Sequence, residues 1–166
     1  MKISKQNILK ILLVPMLSGL FQVNAFAEEG AVRFTNTAFK QVQIKNSDGS
    51  TEYDYVEPGL VLPKDVILYE ITFENISKEN VDNAVINNPI ANNSTYRANS
   101  ATGDNTDITF SVDGKLFAAA DALTIKDQSG ITGQAKPEDY TVIRWTYKKS
   151  LKPGEKGKVT YKTTIN

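Results

Sequence analysis

The side chains best suited to acid–base chemistry in this sequence are carboxylates, because the chain contains no histidine and no cysteine. A glycosidase-type mechanism needs two carboxyl groups held across a cleft. Glu70 and Glu74 fall on the outward face of one predicted strand. Glu138 and Asp139 fall in a loop, so the pattern places no two carboxylates face to face. We therefore expect a protein that is not an enzyme, and we assign it no catalytic residue.

The absence of imidazole and thiol groups narrows the remaining chemistry further. It excludes Ser-His-Asp triads, cysteine nucleophiles, thiolate or imidazole zinc sites and disulfide frameworks. A serine activated by lysine stays open, although no Ser-x-x-Lys motif lies on a predicted helix. The zero formal charge gives no basic field of the kind that nucleic-acid binders use.

One polar loop offers several oxygen ligands for a hard cation: Asp104, Asn105, Thr106 and Asp107. Ca²⁺ requires about six to eight oxygens, and the EF-hand supplies them from a loop of about twelve residues closed by a glutamate. This shorter loop lacks that closing residue, so a solvated turn is the favoured interpretation. Asp113, followed by glycine, is likewise predicted to form a hairpin turn. We expect neither a metal site nor a cofactor.

The strongest predicted strand carries the chain's single tryptophan. Trp145 and Tyr147 alternate with Ile143 on one face, which favours core positions over a ligand platform. Arg144 points the other way and is expected to pair with a carboxylate on a neighbouring strand, with partner recognition as the alternative. Tyr140 follows a Pro-Glu-Asp loop and is predicted to tie that loop to the strand through its hydroxyl, as the corner tyrosine of immunoglobulin domains does.

The first 27 residues have the pattern of a cleavable secretory signal. Residues 1–10 are positively charged, residues 11–21 are apolar, and residues 25–27 read Ala-Phe-Ala. A membrane anchor is the alternative, but a span needs about 20 apolar residues. Cleavage after Ala27 removes three lysines and leaves 16 basic against 19 acidic groups, a net charge of −3. We expect a secreted or periplasmic protein with no transmembrane segment in the mature chain.

Period-two alternation of apolar residues predicts eight or nine short strands in the rest of the chain. These strands are expected to come from eleven strand-like segments, of which some are short or weak: residues 33–35, 39–44, 51–56, 66–75, 81–88, 95–98, 107–112, 115–117, 123–126, 140–148 and 157–165. Residues 118–122 form the one helix-like piece, at most a turn or two. The prediction is an all-β antiparallel sandwich, with a closed barrel as the alternative. We expect residues 28–55 to form a strand and hairpin region packed on a sandwich of residues 56–166.

Several motifs occur in the order that a known family uses. They are a Pro-Gly turn at residues 57–59, a Tyr-x-Ile-x-x-x-Asn strand at residues 69–75, a strand at residues 83–90 ending near Pro89, and then Tyr96. Residues 110–115, 139–145 and 151–155 match the second half of the same pattern. Together they resemble the immunoglobulin-like surface module called domain of unknown function eleven, common in bacterial and archaeal envelope proteins. Asn87 departs from it, since the module often has aspartate there, and Val142 stands where its closest relatives have histidine.

The resemblance implies an immunoglobulin-like fold in an extracytoplasmic setting, with no enzyme activity and no accepted ligand. We therefore expect a structural, adhesive or protein-interaction module of the cell envelope or of the exterior. Its partners are expected to be other envelope or surface proteins that dock on edge strands, at the hairpin of residues 39–56 or the last strand, residues 157–165. The alternative is a soluble periplasmic protein that binds glycan or calcium.

Overall fold

The computed structural model describes residues 30–126 and 129–166, and the predicted signal peptide of residues 1–27 lies outside this part of the chain. The described residues form eleven strands and one short 3₁₀ turn. The strands are β1 (Val32–Lys45), β2 (Thr51–Val56), β3 (Val66–Asn75), β4 (Val85–Pro89), β5 (Ser94–Tyr96), β6 (Thr102–Gly103), β7 (Thr106–Ser111), β8 (Thr124–Lys126), β9 (Thr132–Gln134), β10 (Val142–Tyr147) and β11 (Lys156–Ile165). The 3₁₀ turn is Pro137–Asp139.

The strands form two principal sheets that pack face to face. The larger runs in the order β2-β1-β3-β11-β5, with β6 also paired to β11, and the smaller is β4-β10-β7. A separate ribbon is formed by β8 and β9. All pairings are antiparallel. The prediction of an all-β sandwich is therefore confirmed, and the closed-barrel alternative was wrong.

Alternation along β3 shows how the sequence produces the inner face of the larger sheet. Ile67, Ile71 and Phe73 are buried at 3%, 4% and 1% exposure. Tyr69 shares this inner face and stacks on Tyr161, whereas Leu68, Glu70 and Thr72 are half-buried on the opposite, outward face. Burial of this apolar row, which β11 and β1 flank on either side, provides the main driving force for the sheet.

Facing side chains of the smaller sheet complete the core. Ile143 and Trp145 on β10 have no exposed surface. The Trp145 indole N–H donates to the Thr102 carbonyl oxygen at 3.1 Å, so this buried polar group has a partner. The rings of Phe73 and Tyr147 meet edge to face across the two sheets, with centroids 5.4 Å apart.

Asn75, the last residue of β3, is a fully buried amide that makes four side-chain hydrogen bonds. Its Nδ2 donates to the carbonyl oxygens of Glu79 at 2.7 Å and of Leu151 at 2.8 Å. Its Oδ1 accepts from the N–H of Ser77 at 2.9 Å and from the hydroxyl of the same serine at 2.7 Å. This side chain therefore fixes the loop after β3 and the connection between β10 and β11.

Three local predictions differ from the structure. Residues 33–35 and 39–44 belong to one continuous strand, β1. Residues 115–117 form no strand, and only Ala118 makes an isolated bridge, to Phe110. Residues 118–122 form a turn and not a helix, with the Leu123 N–H donating to the Ala119 carbonyl oxygen at 3.0 Å.

Across residues 30–126 and 129–166, no helix has both the length and the apolar character needed to span a bilayer.

Candidate functional site

The final part of β1 extends past its pairing with β3 and forms a hairpin with β2. Residues 32–40 pair with β3, ending with Lys40 opposite Ile67. From Lys40 onward, β1 pairs with β2. We call residues 41–56 the arm. Within the described chain β2 pairs with β1 alone, so one edge of β2 has no strand partner.

The turn at the tip of the arm is fixed by local hydrogen bonds. The Asn46 N–H donates to the Ser50 carbonyl oxygen at 2.9 Å, and the Asp48 carboxylate accepts from the Ser50 N–H at 2.8 Å. Hydrogen bonds from the Ser50 side chain and backbone lower the pKa of Asp48. Gly49 has a φ of 85°, in the region where a side chain is disfavoured. The hairpin predicted from the Asp-Gly sequence is confirmed.

Lys40 holds the loop that follows the arm. Its ammonium lies 2.6 Å from the Asp65 carboxylate and donates to the Leu60 carbonyl oxygen at 3.2 Å. Asp65 in turn accepts a hydrogen bond from the Leu62 N–H at 2.7 Å. The hydrogen bonds from Lys40 and Leu62 hold the pKa of Asp65 below its usual range. The loop of residues 57–65 is therefore fastened at its base although its surface is exposed.

Exposed large hydrophobic side chains concentrate on the arm and this loop. Nine such side chains are exposed among the described residues, and six of them lie between positions 44 and 62. We call these six the arm apolar set: Ile44, Tyr53, Val56, Leu60, Val61 and Leu62. Leu60 is 78% exposed and Tyr53 61%. Exposed apolar groups of this kind mark interaction sites in soluble proteins.

The same stretch carries an unbalanced negative charge. Residues 46–63 contain four acidic residues and no lysine or arginine, a net charge of −4: Asp48, Glu52, Asp54 and Glu57. Glu52, Asp54 and Glu57 make no ion pair with any described residue. Since residues 28–166 have a net charge of −3, the rest of that region is close to neutral. The arm and its loop as a whole, residues 41–65, also include Lys45, Lys64 and Asp65 and have a net charge of −3, so they are the acidic part of this region.

The two arm tyrosines lie on the same face of β2 but differ in their surroundings. The Lys162 ammonium sits 5.1 Å from the centre of the Tyr55 ring, and the Tyr55 hydroxyl donates to the Gln41 side-chain oxygen at 3.4 Å. No such contact is made by Tyr53, whose ring stays largely exposed. Tyr53 is therefore the aromatic residue of the arm that has the most surface to bury in a complex.

The residues that the sequence singled out on β10 are structural. Trp145 is fully buried and Tyr147 is 6% exposed, which confirms their core positions. The Tyr147 hydroxyl donates to the Glu155 carboxylate at 3.4 Å, and burial raises the pKa of this tyrosine.

Arg144 does not pair with a carboxylate as predicted. Its Nε donates to the side-chain oxygen of Asn87, directly opposite on β4, at 2.7 Å. The guanidinium also lies 3.4 Å above the centre of the Phe117 ring. Partial burial lowers the pKa of Arg144. The prediction was wrong because the residue opposite Arg144 is an amide, at the position where the resembling family often has aspartate.

Tyr140 lies in the core, where its ring stacks on Phe110 with centroids 4.6 Å apart. The hydroxyl that ties a loop to the sheet belongs instead to Tyr96, which accepts from the Ala101 N–H at 3.0 Å. Burial, and secondarily the neighbouring Tyr96, raise the pKa of Tyr140. The tyrosine-to-loop contact thus exists, but a different tyrosine makes it.

The oxygen-rich loop is the turn between β6 and β7. Asn105 adopts a φ of 55°, and the Thr106 hydroxyl donates to the Gly103 carbonyl oxygen at 2.8 Å. Asp107 pairs with Lys148 at 2.6 Å. No group of three or more acidic, histidine or cysteine side chains suited to a metal ion occurs in the described part of the chain.

Asp113 lies in a turn as predicted, although the second strand of the predicted hairpin, residues 115–117, does not form. Its carboxylate accepts from the N–H groups of Leu116 at 3.0 Å and Lys115 at 2.8 Å, and these bonds lower its pKa.

The carboxylates considered for catalysis make other contacts. Glu70 pairs with Lys158 at 3.1 Å, and Glu74 with Lys156 at 3.6 Å, on the outer face of the larger sheet. Asp139 accepts a hydrogen bond from the Lys136 N–H at 2.8 Å within the 3₁₀ turn. The structure therefore does not bring these carboxylates together across a cleft.

A polar cleft of about 510 Å³ lies beside β6 and the start of β11. It is lined by Thr72, Thr102, Gly103, Asp104, Asn105, Tyr147, Lys156, Gly157, Lys158 and Thr160. Hydroxyl, amide and ammonium groups of this kind suit a small polar ligand. Both lysines already face glutamates across the strand pair, so the cleft has no uncompensated positive charge from them.

The last strand does not provide the edge that we predicted. β11 pairs with β3 on one side and with β5 and β6 on the other, so it lies inside the larger sheet. The hairpin, the other predicted docking place, does end the sheet at β2. The exposed residues of the loop after the hairpin were not predicted as part of this surface. Their signal is a run of three apolar residues, Leu60, Val61 and Leu62, enclosed by turn-forming prolines.

Comparisons of the chain with protein-family profiles, with curated proteins and with solved structures find no match.

Proposed function

We propose that this chain is an exported, non-enzymatic, immunoglobulin-like module that binds another protein of the cell envelope or of the exterior. Its docking surface is the arm together with the loop of residues 57–65 that follows it. The observation that carries the proposal is that, of the nine large hydrophobic side chains exposed among the described residues, six lie on one stretch of 19 residues. Isolated exposed apolar residues need no explanation, but a concentrated set does.

The composition of this stretch fits an interface. Tyrosine is enriched in the buried centre of protein interfaces, and leucine and valine supply apolar area around it. The Lys40–Asp65 ion pair and the Lys40 bond to Leu60 hold the loop in place before binding. A surface that is ordered in advance loses less conformational entropy on association.

Export and the lack of enzyme activity, the two further parts of the proposal, have their own support. Export rests on the signal pattern of residues 1–27. A non-enzymatic role is supported by the pairing of Glu70 and Glu74 with lysines, since these carboxylates stabilise the sheet surface. The resemblance to an immunoglobulin-like surface module favours the same setting.

The polar cleft favours one alternative, a soluble periplasmic protein that binds a glycan. Its volume of about 510 Å³ is of the size that small-molecule sites have. Its apolar content is low, however, and glycan sites usually include an exposed aromatic ring. Screening of sugars against the purified protein by calorimetry, with Lys158→Ala as the comparison, tests this alternative.

Site-specific photocrosslinking in cells tests the docking proposal. A photoreactive amino acid is placed at Leu60 of the loop, which is 78% exposed, and separately at Leu116, which is 76% exposed and lies outside both the arm and its loop. We expect a discrete crosslinked protein from the Leu60 position and none from the Leu116 position. Equal yields from the two positions would show that the arm and its loop are no preferred contact surface.

Fractionation of the same cells tests whether the protein belongs to a larger envelope-bound complex. An envelope-bound complex larger than the monomer supports the docking proposal. Recovery of the whole pool as a free monomer would favour the glycan-binding alternative instead.

A further inference from the structure

We infer that the partner binds the arm by adding a β-strand to the free edge of β2, and that this strand alternates lysine or arginine with apolar residues. The inference rests on the proposed function and specifies the chemistry of the partner. It is carried by three features of β2: its open edge, the division of its side chains between two faces, and its charge.

The edge offers backbone groups that can bond to an added strand. β2 is six residues long and extended, and among the described residues β1 is its one strand partner. The Asp54 carboxylate accepts a hydrogen bond from the N–H of Tyr55 at 2.8 Å. This donor is already satisfied by a side chain, so an added strand would displace the Asp54 contact at this position. Strand addition supplies such bonds from a second backbone and needs no preformed pocket.

The register of β2 against β1 separates its side chains by face. Glu52 and Asp54 lie opposite Ile44 and Val42 and share one face of the arm. Tyr53 and Tyr55 lie on the other face. Directly opposite residues of paired strands interact, and opposite charges or aromatic–aliphatic contacts stabilise such pairs. An added strand is therefore matched by cations on the first face and apolar side chains on the second.

The charge disfavours the simplest alternative, a second copy of this chain. Antiparallel self-pairing of β2 in the register that sets Glu52 opposite Asp54 would bring carboxylates together, and like charges at opposite positions destabilise a strand pair. Residues 46–63 provide no lysine or arginine to offset this repulsion. The same argument excludes an acidic strand and favours a basic one.

Three synthetic ten-residue peptides test the inference against the purified protein. The first alternates lysine with valine, the second replaces every lysine with glutamate, and the third is the first with alternate backbone nitrogens methylated. Binding is measured by fluorescence anisotropy at low and at high salt. We expect the lysine peptide to bind at least about tenfold more tightly than the glutamate peptide, with the difference falling in high salt. We expect methylation to abolish binding.

Substitutions of acidic residues test whether the charge of β2 determines which peptide the protein prefers, provided that each variant is folded. Glu52→Lys combined with Asp54→Lys changes two exposed residues and should reverse the preference between the two peptides. Glu138→Lys, an exposed acid outside the arm, is the control and should leave the preference unchanged. Thermal melting followed by Trp145 fluorescence verifies that each variant is folded.

Each remaining outcome overturns the inference. Equal affinity for the lysine and methylated peptides would show attraction without strand addition. Equal affinity for the lysine and glutamate peptides, or binding of none, would remove the proposed partner chemistry. Crosslinking at Leu60 distinguishes this failure from that of the proposed function. A crosslinked partner without peptide binding would contradict the inference alone, whereas the lack of any crosslink would contradict the docking proposal.

Discussion

Replacement of Asn75 by alanine should destabilise the fold strongly, because the four hydrogen bonds of this side chain join two loops to the end of β3. A typical intramolecular hydrogen bond contributes about 1 kcal/mol net, so the loss of all four sets a limit of about 4 kcal/mol. Part of it is recovered, since the Leu151 carbonyl oxygen keeps a bond from the Val81 N–H at 3.0 Å. The half-buried Ser77 hydroxyl can also turn toward water. We expect a loss of about 3 kcal/mol.

Urea unfolding followed by the fluorescence of Trp145 measures this loss, because the single tryptophan of the chain is fully buried. With a slope of about 2 kcal/mol per molar, the midpoint should fall by about 1.5 M. Asn92→Ala, at an exposed asparagine, is the control and should change the free energy of unfolding by less than about 0.5 kcal/mol. A loss below about 1 kcal/mol for Asn75→Ala would refute the argument from its hydrogen bonds.

A second variant, Asn75→Asp, tests whether the donor group of the Asn75 amide is needed for stability. The aspartate keeps the acceptor for Ser77 but places an oxygen against the carbonyl oxygens of Glu79 and Leu151. Burial without a donor raises the folded-state pKa of the introduced carboxyl, so protonation restores a donor. The destabilisation relative to the natural chain should be smallest near pH 4 and grow as the pH rises toward about 7. A loss that does not vary with pH would contradict this assignment of the amide.

Three further changes have defined outcomes. Asn87→Asp should raise the melting temperature by about 2–4 °C, less in 1 M salt, because the opposing Arg144 guanidinium would then donate to a carboxylate; no change would show that this contact contributes little. Thr163→Val should raise the free energy of unfolding in urea by about 1 kcal/mol, since the buried threonine hydroxyl has no partner among the described residues; a destabilised variant would mean that the hydroxyl is satisfied. Burial raises the pKa of Tyr161 in the folded state above that in the unfolded state. The free energy of unfolding is therefore unaffected by this group below about pH 10 and falls by at most about 1.4 kcal/mol per pH unit above it. Tyr161→Phe should lose stability less steeply in alkaline urea titrations, and an equal slope would contradict this account.

The parts of the fold that follow from local pattern were predictable. β3 and β10 alternate so regularly that their buried faces, including Trp145, could be assigned from the sequence. The continuity of β1 could not. Its middle residues, Asn36 and Thr37, carry no apolar signal, and pairing with β3 makes them part of the strand. Here tertiary pairing overrides local propensity.

The candidate site was only partly predictable, because exposure depends on what the rest of the chain covers. The hairpin and its edge follow from the Asp-Gly turn, and this turn is confirmed. The position of β11 inside the sheet depends on β5 and β6, which are too short to be recognised as its partners from sequence. Leu60 and its neighbours carry no strand or helix periodicity, so their exposure is visible only in three dimensions.

The central place of β11 has a consequence for the timing of folding. β3 pairs with strands from the two ends of the described chain, β1 before it and β11 after it, so the larger sheet closes only after residues 76–155 and then β11 have been made. Val159 and Tyr161 of β11 complete the core at 0% and 2% exposure. A nascent chain that lacks them would expose the apolar rows of both sheets. Such non-local closure slows folding, so the larger sheet is expected to form late, once its final strand is available.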